Sequence, residues 1–312
     1  MPILDLIAPL LSLAMATVVL VFTFSDRGRR IFSRRFRDGN HVRQTIAALA
    51  AAVALLKLVQ IAFHHQRVLV LVVNIAALAV LAYVGVLLLR TRISPASGTS
   101  HPQVVLAIGA HPDDLELACF ATLSKLADSG SQVHLLVLSD GSRGGDEEIR
   151  LMEVQKGARF LDAASITQYR FPDTRLADHA YELAQAIEKR INDLHPDLII
   201  THSSNDQHQD HQAAHIATLR AARQHPSIIC FESPSATRNF LPSFFVDISD
   251  YVATKEYAVA THRNQMNKPY MQAEKLRGMA LFRGSQAKVR HAEGFEVVRM
   301  LDTWQTQKKA SS

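Results

Sequence analysis

A short apolar segment that runs directly into His-Pro-Asp-Asp is the feature that most constrains the fold of this chain. Residues 104–109 read Val-Val-Leu-Ala-Ile-Gly, which predicts a buried strand, and residues 115–127 have the amphipathic spacing of a helix. The turn between them carries His111, Asp113 and Asp114. Because open α/β sheets place their chemistry where a strand passes into a helix, we predict a functional site at this turn.

Strand-like and helical segments alternate through the C-terminal two thirds of the chain. The strands are nearly continuous apolar runs, which indicates a mostly parallel sheet flanked by helices on both faces. No Gly-x-Gly-x-x-Gly pattern follows the first strand, so the sequence disfavours a dinucleotide-binding domain. The predicted strands are residues 104–109, 133–139, 166–171, 197–201, 227–231, 244–248 and 296–300, and the predicted helices are residues 115–127, 147–161, 177–194, 211–223 and 251–282.

The first hundred residues contain three apolar segments that are each long enough to cross a bilayer. We predict transmembrane helices at about 6–24, 45–63 and 68–89, since about 20 apolar residues span the hydrocarbon core. Seven Arg residues lie in the loop between the first two segments, and the positive-inside rule puts this loop in the cytoplasm. We therefore expect an integral protein of a bacterial inner membrane whose C-terminal domain is cytoplasmic.

The basic charge of the chain belongs to this N-terminal region. Residues 1–100 hold 11 Lys and Arg against 3 Asp and Glu, whereas the whole chain has a net charge of +5, so the remaining residues are net negative. The sequence pI of about 9.3 thus indicates membrane topology rather than a nucleic-acid partner. We predict a membrane region at 1–92, a linker at 93–102, a soluble domain at 103–302 and a tail at 303–312.

A second cluster of His and Asp follows a later predicted strand, at a junction equivalent to the first. It contains His208, Asp210 and His211, about a hundred residues after the first cluster. Catalytic zinc takes three protein ligands, commonly His and carboxylate, and keeps a position for water. We therefore predict that His111, Asp114 and His211 bind Zn²⁺ or another divalent metal, which lowers the pKa of bound water to about 7.

The other residues of the two clusters receive catalytic roles. Asp113 is assigned as the general base that also returns the proton, His208 as the group that stabilises the oxyanion or protonates the leaving amine, and Asp210 as the carboxylate that orients an imidazole. Each cluster alone also has a purely structural explanation. Asp is a common helix N-cap, and a His-rich turn can be part of the solvated surface. Of the other histidines, His202 receives no role, and His215 is assigned to a helix face rather than to the metal.

The same residues carry a family resemblance. Residues 110–117, Ala-His-Pro-Asp-Asp-Leu-Glu-Leu, resemble the signature of the PIG-L/LmbE-like deacetylases, the GlcNAc-PI de-N-acetylase family, and residues 208–211 resemble its His-x-Asp-His motif. The stretch from Arg283 to Phe295 resembles the C-terminal pattern of the family, although His291 stands where an aromatic residue is usual. The resemblance covers about residues 103–302.

The resemblance implies a Rossmann-like LmbE fold and the zinc-dependent hydrolysis of an N-acyl group, usually N-acetyl on glucosamine. It implies zinc at the three predicted ligands, Asp113 as the base and His208 as the electrophilic or acid partner. Arg150 with Glu153 matches a spacing found near the family's site, so Arg150 is a candidate substrate-binding residue, as is Asp173 for sugar hydroxyls. The predicted function is a membrane-anchored deacetylase acting on an amino sugar, such as an N-acetylglucosaminyl lipid or conjugate.

Two alternative functions stay open on the sequence. The first is a non-catalytic zinc-binding membrane protein that binds a ligand or partner and holds metal without turnover. The second is a transporter built on the three apolar segments, although these segments lack the paired charges and Pro or Gly breaks of a transport pathway. Asp113 and His208, which a binding protein would not need, favour the enzyme.

Overall fold

The computed structural model describes residues 4–93 and 102–301 of the chain. These form two compact units, Met1–Ser94 and Pro95–Ser312. Most of the predicted linker at 93–102 and all of the predicted tail at 303–312 lie outside the described residues. The predicted domain boundaries therefore stay predictions.

The first unit is helical throughout its described part. Its helices are α1 (Leu4–Phe24), α2 (Asp26–Arg35), α3 (Gly39–Ala62) and α4 (Arg67–Thr91). By length and composition, α1, α3 and α4 are able to cross a membrane, and apolar side chains such as Leu71 and Leu81 are exposed on α4. Each of the three predicted apolar segments thus forms a long helix.

The Arg-rich segment between α1 and α3 differs from the prediction, because the sequence suggested a loop and the structure contains α2. Ser25 caps this helix, since its Oγ accepts a hydrogen bond from the backbone N–H of Gly28 at 3.0 Å. Phe32, on the buried side of α2, packs with Val42 and Ile46 of α3. The apolar residues between the arginines therefore give α2 a packed face, and α3 begins at Gly39, six residues before the predicted span.

The second unit is an α/β domain. Its strands are β1 (Val104–Gly109), β2 (Gln132–Ser139), β3 (Ser165–Phe171), β4 (Leu198–His202), β5 (Ile228–Phe231), β6 (Phe244–Asp247) and β7 (Ala292–Arg299), and its α-helices are α5 (Asp114–Ala118), α6 (Phe120–Asp128), α7 (Glu147–Leu161), α8 (Ala180–Leu194), α9 (Gln209–Ala221), α10 (Val252–Val259) and α11 (Ala273–Ala287). The sheet has the order β3-β2-β1-β4-β5-β7-β6. Strands β1 to β5 pair in parallel and β7 is antiparallel to β5 and β6, so the predicted mostly parallel sheet is confirmed.

Strand β1 lies in the middle of this sheet and is buried on both faces. Val105 and Ala107 belong to one apolar cluster, whereas Leu106 and Ile108 belong to another on the opposite face, as the alternation of side chains along a strand requires. The strand order reverses between β1 and β4, and ligands of such sheets bind in the crevice at this switch point. Both His and Asp clusters emerge there.

Three predicted elements of the second unit differ most from the structure. The helix predicted at 115–127 is two helices that meet at Cys119, because the N–H groups at the start of α6 donate to the carboxylate of Glu293 on β7. The helix predicted at 251–282 is interrupted between α10, which ends at Val259, and α11, and Pro269 within this interval starts a 3₁₀ turn. Strand β7 begins four residues before the predicted strand at 296–300.

Candidate active site

The turn after β1 is closed by a hydrogen bond between its backbone and the side chain of Asp114. The N–H of His111 donates to Asp114 Oδ2 at 2.6 Å, so the side chain of the first residue of α5 holds the turn in place. Gly109 allows this close packing, because a Cβ at that position would lie 3.3 Å from the Cβ of Asp114. His111, Asp113 and Asp114 are all buried in this turn.

His111, Asp114 and His211 converge on one point. His111 Nδ1 lies 3.2 Å from His211 Nε2, and oxygens of Asp114 lie 3.4 Å from the first nitrogen and 3.3 Å from the second. Two ligands that are each 2.0–2.1 Å from a tetrahedral zinc ion are about 3.4 Å apart. The separations of the three predicted ligands therefore fit a zinc-sized ion.

Each of the two histidines has a carboxylate at its other ring nitrogen. His111 Nε2 lies 3.2 Å from both Asp173 Oδ1 and Asp210 Oδ2, and His211 Nδ1 lies 2.9 Å from Asp206 Oδ2. A carboxylate at the far nitrogen fixes the ring proton there, which leaves the near nitrogen's lone pair for a metal. This arrangement agrees with the predicted role of Asp210 and adds Asp173 and Asp206 to it.

Two of these carboxylates are themselves held in place by neighbouring loops. Asp206 accepts hydrogen bonds from the hydroxyls of Ser233 and Ser235, the second at 2.6 Å. Asp210 is fully buried and accepts the backbone N–H of Thr174 at 2.7 Å. The orientation of the two imidazoles is thus tied to the loops that follow β5 and β3.

Other side chains at the same place offer overlapping sets of ligand atoms. Besides the predicted set, the described residues contain His111 with His208 and His211, Asp114 with His202 and His211, and His111 with Asp173 and Asp210. All of these sets contain His111 or His211. The donors are nitrogen and carboxylate oxygen throughout, the ligand types that Zn²⁺ accepts.

At this cluster, neighbouring opposite charges shift the pKa values of His111, His211 and Asp114 more strongly than burial does. Burial disfavours protonation of both histidines, yet Asp114 and the other carboxylates raise the pKa of His111 well above its usual value. Asp114 and Asp206 likewise raise the pKa of His211 to about 9 against the effect of burial. Although burial opposes it, His211 and His202 hold the pKa of Asp114 well below its usual value. Because a metal binds the unprotonated rings, this site releases protons when it takes up a cation.

The carboxylate of Asp113 binds Arg150 rather than the histidines of the cluster. Arg150 donates from Nη2 to Asp113 Oδ1 and from Nη1 to the carbonyl of Gly141, both at 2.7 Å. At Gly141 φ is +66°, and a Cβ there would lie 2.8 Å from the Arg150 guanidinium, so a glycine is required. The guanidinium that the sequence assigned to substrate is thus engaged by the predicted base, and its substrate role stays a prediction.

A cavity of about 310 Å³ opens over the cluster. Seven of the eight predicted site residues line it, and the eighth, Asp210, is buried beneath them. The ring of His208 stacks on that of His211, with 4.6 Å between centroids. The lining residues are His111, Asp113, Asp114, Arg143, Gly144, Arg150, Asp173, Thr174, His208, His211, Pro234, Ser235, Lys268 and Tyr270.

His202 belongs to the site, although no role was predicted for it from the sequence. Its Nε2 accepts the N–H of Ala110 at 2.9 Å, and its ring stacks on that of His211 with 4.1 Å between centroids. Burial and then the neighbouring His211 lower the pKa of His202 to about 4, which keeps the ring neutral. The place of His202 in the site could have been predicted, because His202 ends β4 at the same edge of the sheet where β1 ends. His215 is buried on α9 and bonds the carbonyl of His202.

Two further residues of the cavity come from the segment between α10 and α11. Lys268 and Tyr270 line the cavity from this segment, and no motif or spacing in the sequence indicates them. Burial and the nearby Asp113 raise the pKa of Tyr270 to about 12, so its hydroxyl keeps its proton and stays a donor.

Comparison with known proteins identifies the family. Residues 106–222 match the family described as GlcNAc-PI de-N-acetylase, PIG-L. The chain is 34% identical over 167 residues to the Escherichia coli K12 protein named uncharacterized deacetylase YaiS, an alignment that covers 51% of this chain and 90% of that protein. The chain belongs to the PIG-L family. This confirms the family that the two motifs predicted.

Two further similarities support membership of the PIG-L family. The chain is 30% identical over 221 residues to the diacetylchitobiose deacetylase of Thermococcus kodakarensis, which covers 62% of this chain and 82% of that enzyme. A conserved protein of Thermus thermophilus, TT1542, superposes with a TM-score of 0.57 at 27% identity, over 65% of this chain and 98% of that structure. The chain is therefore a member of a metal-dependent deacetylase family with an LmbE-like α/β fold.

Proposed function

We propose that this PIG-L protein is a membrane-anchored hydrolase that removes an N-acyl group, in the first instance N-acetyl, from an amino sugar such as an N-acetylglucosaminyl lipid or conjugate. The observation that carries the proposal is the convergence of His111, Asp114 and His211 within 3.2–3.4 Å of one another, in the same cavity as Asp113. A relative named for diacetylchitobiose supports an N-acetylated amino sugar as substrate.

The three converging side chains would hold the metal. Their two imidazoles and one carboxylate favour Zn²⁺, and another divalent ion would also be accepted by these donors. When bound, the metal supplies Lewis-acid polarisation of the amide carbonyl and lowers the pKa of the attacking water. Every other step is assigned to side chains of the protein.

Asp113 is the base in this mechanism. Arg150 binds its Oδ1, so Oδ2 is the oxygen that we assign to take the proton from water as the water oxygen attacks the amide carbon. When the C–N bond breaks, Asp113 returns this proton to the leaving nitrogen. The products are the free amine and a carboxylic acid, which then loses its proton to solvent.

His208 stabilises the oxyanion that forms on the amide carbonyl. Its Nδ1 accepts the backbone N–H of Asp210 at 3.2 Å, so the ring proton is on Nε2 and is available for donation. Burial and the neighbouring His111 lower the pKa of His208, which favours a neutral donor over an imidazolium acid. Of the two roles predicted for His208, we therefore retain oxyanion stabilisation.

The membrane location is part of the same proposal. Three helices long and apolar enough to span a bilayer, and the Arg-rich segment between the first two long ones, support an anchor in a bacterial inner membrane with the catalytic unit in the cytoplasm. A membrane anchor favours a lipid-linked substrate, which would be concentrated at that surface. A reporter fused after the last residue tests the orientation, and reporter activity on the outer side alone would contradict it.

The mechanism is tested with the full chain and its Asp113→Ala and His211→Ala variants. We expect both variants to lose acetate release from N-acetylglucosaminyl lipids and soluble conjugates, and only His211→Ala to lose metal as well. Full activity in both variants would contradict the mechanism. A wild-type protein that binds zinc and hydrolyses none of these substrates would favour the non-catalytic binding protein instead.

A further inference from the structure

A second cavity, of about 370 Å³, adjoins the metal-site cavity and shares two of its wall residues. Pro234 and Tyr270 line both cavities. The segment around Pro234 faces both spaces, because Ser235 Oγ lies 3.3 Å from His211 Nδ1 while Ser233 lines the second cavity. A substrate at the metal cluster therefore has an adjoining space on the far side of these residues.

The wall of the second cavity is mainly apolar. Its side chains come from α5, from α11 and from the 3₁₀ turn between α10 and α11, and include Leu117, Pro269, Leu276, Met279 and Ala280. Ligand sites are typically apolar clefts of about 300–1,000 Å³, and this cavity falls within that range. Its lining predicts an apolar ligand group.

Four of the charged side chains in this wall neutralise one another. Lys255 Nζ lies 2.6 Å from Glu293 Oε1, and Arg283 Nε donates to Glu232 Oε2 at 2.7 Å. Lys275, the remaining charged residue of the wall, is exposed to solvent. The buried ions that the structure describes in this wall are paired with one another, so the buried part of the cavity favours a neutral alkyl group.

The position of the amide indicates that this alkyl group is the acyl chain of the substrate. The amide carbon has to reach the metal cluster, and it carries the polar sugar on its nitrogen side and the acyl chain on its other side. The alkyl group that begins nearest the metal cluster, beside Pro234 and Tyr270, is therefore the acyl chain. We propose that the second cavity binds the N-acyl chain, so that the enzyme hydrolyses N-acyl groups of about four to eight carbons as well as N-acetyl, and with a higher kcat/KM. This inference rests on the proposed hydrolysis and extends it to the acyl specificity.

Two substrate series test the inference with the zinc-loaded full chain. The first series keeps one aglycone and varies the acyl group of N-acylglucosamine from acetyl to octanoyl. We expect kcat/KM to rise about two- to fourfold for each methylene that enters the cavity. The second series keeps N-acetyl and lengthens an alkyl aglycone, and its kcat/KM should stay constant. No dependence on acyl length, or a rise in the aglycone series alone, would overturn the proposal.

A variant of the cavity wall gives a sharper test. Ala280 is 5% exposed and lines the cavity, so Ala280→Phe should fill the space and reduce the octanoyl-to-acetyl ratio of kcat/KM to about one. The milder Ala280→Val, which is easier to accommodate, should give an intermediate ratio. Leu281→Phe, at a neighbouring position of α11 that is 45% exposed, is the matched control and should keep the wild-type ratio. A wild-type ratio in folded Ala280→Phe and Ala280→Val would overturn the assignment.

Binding distinguishes this inference from the proposed hydrolysis. The affinities of the Asp113→Asn protein for N-octanoyl- and N-acetylglucosamine are measured by calorimetry, with and without zinc. Tighter binding of the octanoyl compound that disappears when Ala280→Phe is added supports the cavity assignment, and it does so even if the wild-type protein hydrolyses neither compound. Equal affinities would overturn the cavity assignment, even if the wild-type protein releases acetate.

Discussion

The Nη2 atom of Arg150 lies 2.7 Å from Oδ1 of Asp113, and the two side chains are only 3% and 7% exposed. The pair holds the proposed base beside the metal ligands, whereas the sequence alone assigned Arg150 to the substrate. Removing one partner of a buried ion pair leaves an uncompensated charge, which typically destabilises a protein by about 3–5 kcal/mol. This contact therefore links catalysis to the stability of the site.

We expect Arg150→Ala to lower kcat by about 100-fold, because the base loses its orientation. Arg150→Lys keeps the charge but not the double contact to Asp113 and Gly141, and should give an intermediate kcat. Steady-state kinetics of Asp113→Asn and of the double variant then separate two roles. If Arg150 acts through Asp113, the double variant is no slower than Asp113→Asn. A further loss in the double variant would instead support the substrate contact that the sequence predicted.

Asp206 should control metal affinity without touching the metal. Because it fixes the ring proton of His211 at Nδ1, we expect Asp206→Ala to weaken zinc binding by about 10–100-fold. Competition with a chelator of known affinity measures this change. Asp178→Ala is the control, since Asp178 pairs with Arg175 on the surface, and its zinc affinity should equal that of the wild type. Wild-type affinity in Asp206→Ala would contradict the role of this carboxylate.

The metal-free protein should lose stability as the pH rises toward 9. The pKa of His211 is raised from 6.5 to about 9 in the folded state, because Asp114 and Asp206 outweigh the effect of burial. A raised folded-state pKa stabilises the protein fully below the unfolded value, and this contribution is lost as the pH passes through about 9. Thermal unfolding in a chelator measures the loss, which should be smaller in His211→Gln.

Zinc affinity should change in the opposite direction over the same interval. Metal binding displaces the proton of His211, so affinity should rise from pH 6.5 to about 9. Chelator competition at several pH values tests this expectation. An affinity that is constant or falls across the interval would show that His211 is not a ligand.

Alanine substitutions at two glycines of α11 should change the free energy of unfolding in opposite directions. A Cβ at Gly284 would lie 2.6 Å from the carbonyl oxygen of Arg290, so we expect Gly284→Ala to lower the free energy of unfolding by roughly 1–3 kcal/mol. Among the residues that the structure describes, none outside the neighbouring turns of α11 has an atom within 4 Å of such a Cβ at Gly278, so Gly278→Ala should raise the free energy of unfolding by up to about 1 kcal/mol. Denaturant unfolding measures both. Equal effects would contradict the packing described for Gly284.

The convergence of His111, Asp114 and His211 could be predicted because its signals are local in the sequence. His111 and Asp114 directly follow the apolar run of β1, and His211 lies in the first turn of α9, the helix that follows β4, so the rule for parallel strands brings them to one edge of the sheet. The family motifs supported the same residues. The fold class followed from the alternation of strands and helices, for which no tertiary contact had to be known.

The rest of the site depends on contacts that no local pattern records. Tyr270 reaches the cavity from a segment that the sequence read as the middle of one long helix, and only the interruption at Pro269 places it there. The break between α5 and α6 likewise depends on Glu293, which is 171 residues from Thr122. The role of Arg150 could not be inferred because its partner Asp113 is 37 residues away.

The distance in sequence between the two histidines that we propose as metal ligands has a consequence for folding. His111 and His211 are 100 residues apart and meet only after β1 and β4 have paired, so a metal ion cannot nucleate this fold by closing a short loop. Interactions that form after the folding transition state act mainly on the unfolding rate. Zinc should therefore leave the refolding rate of this domain almost unchanged and slow its unfolding. Bound metal would then increase the kinetic stability of the folded domain without helping it to form.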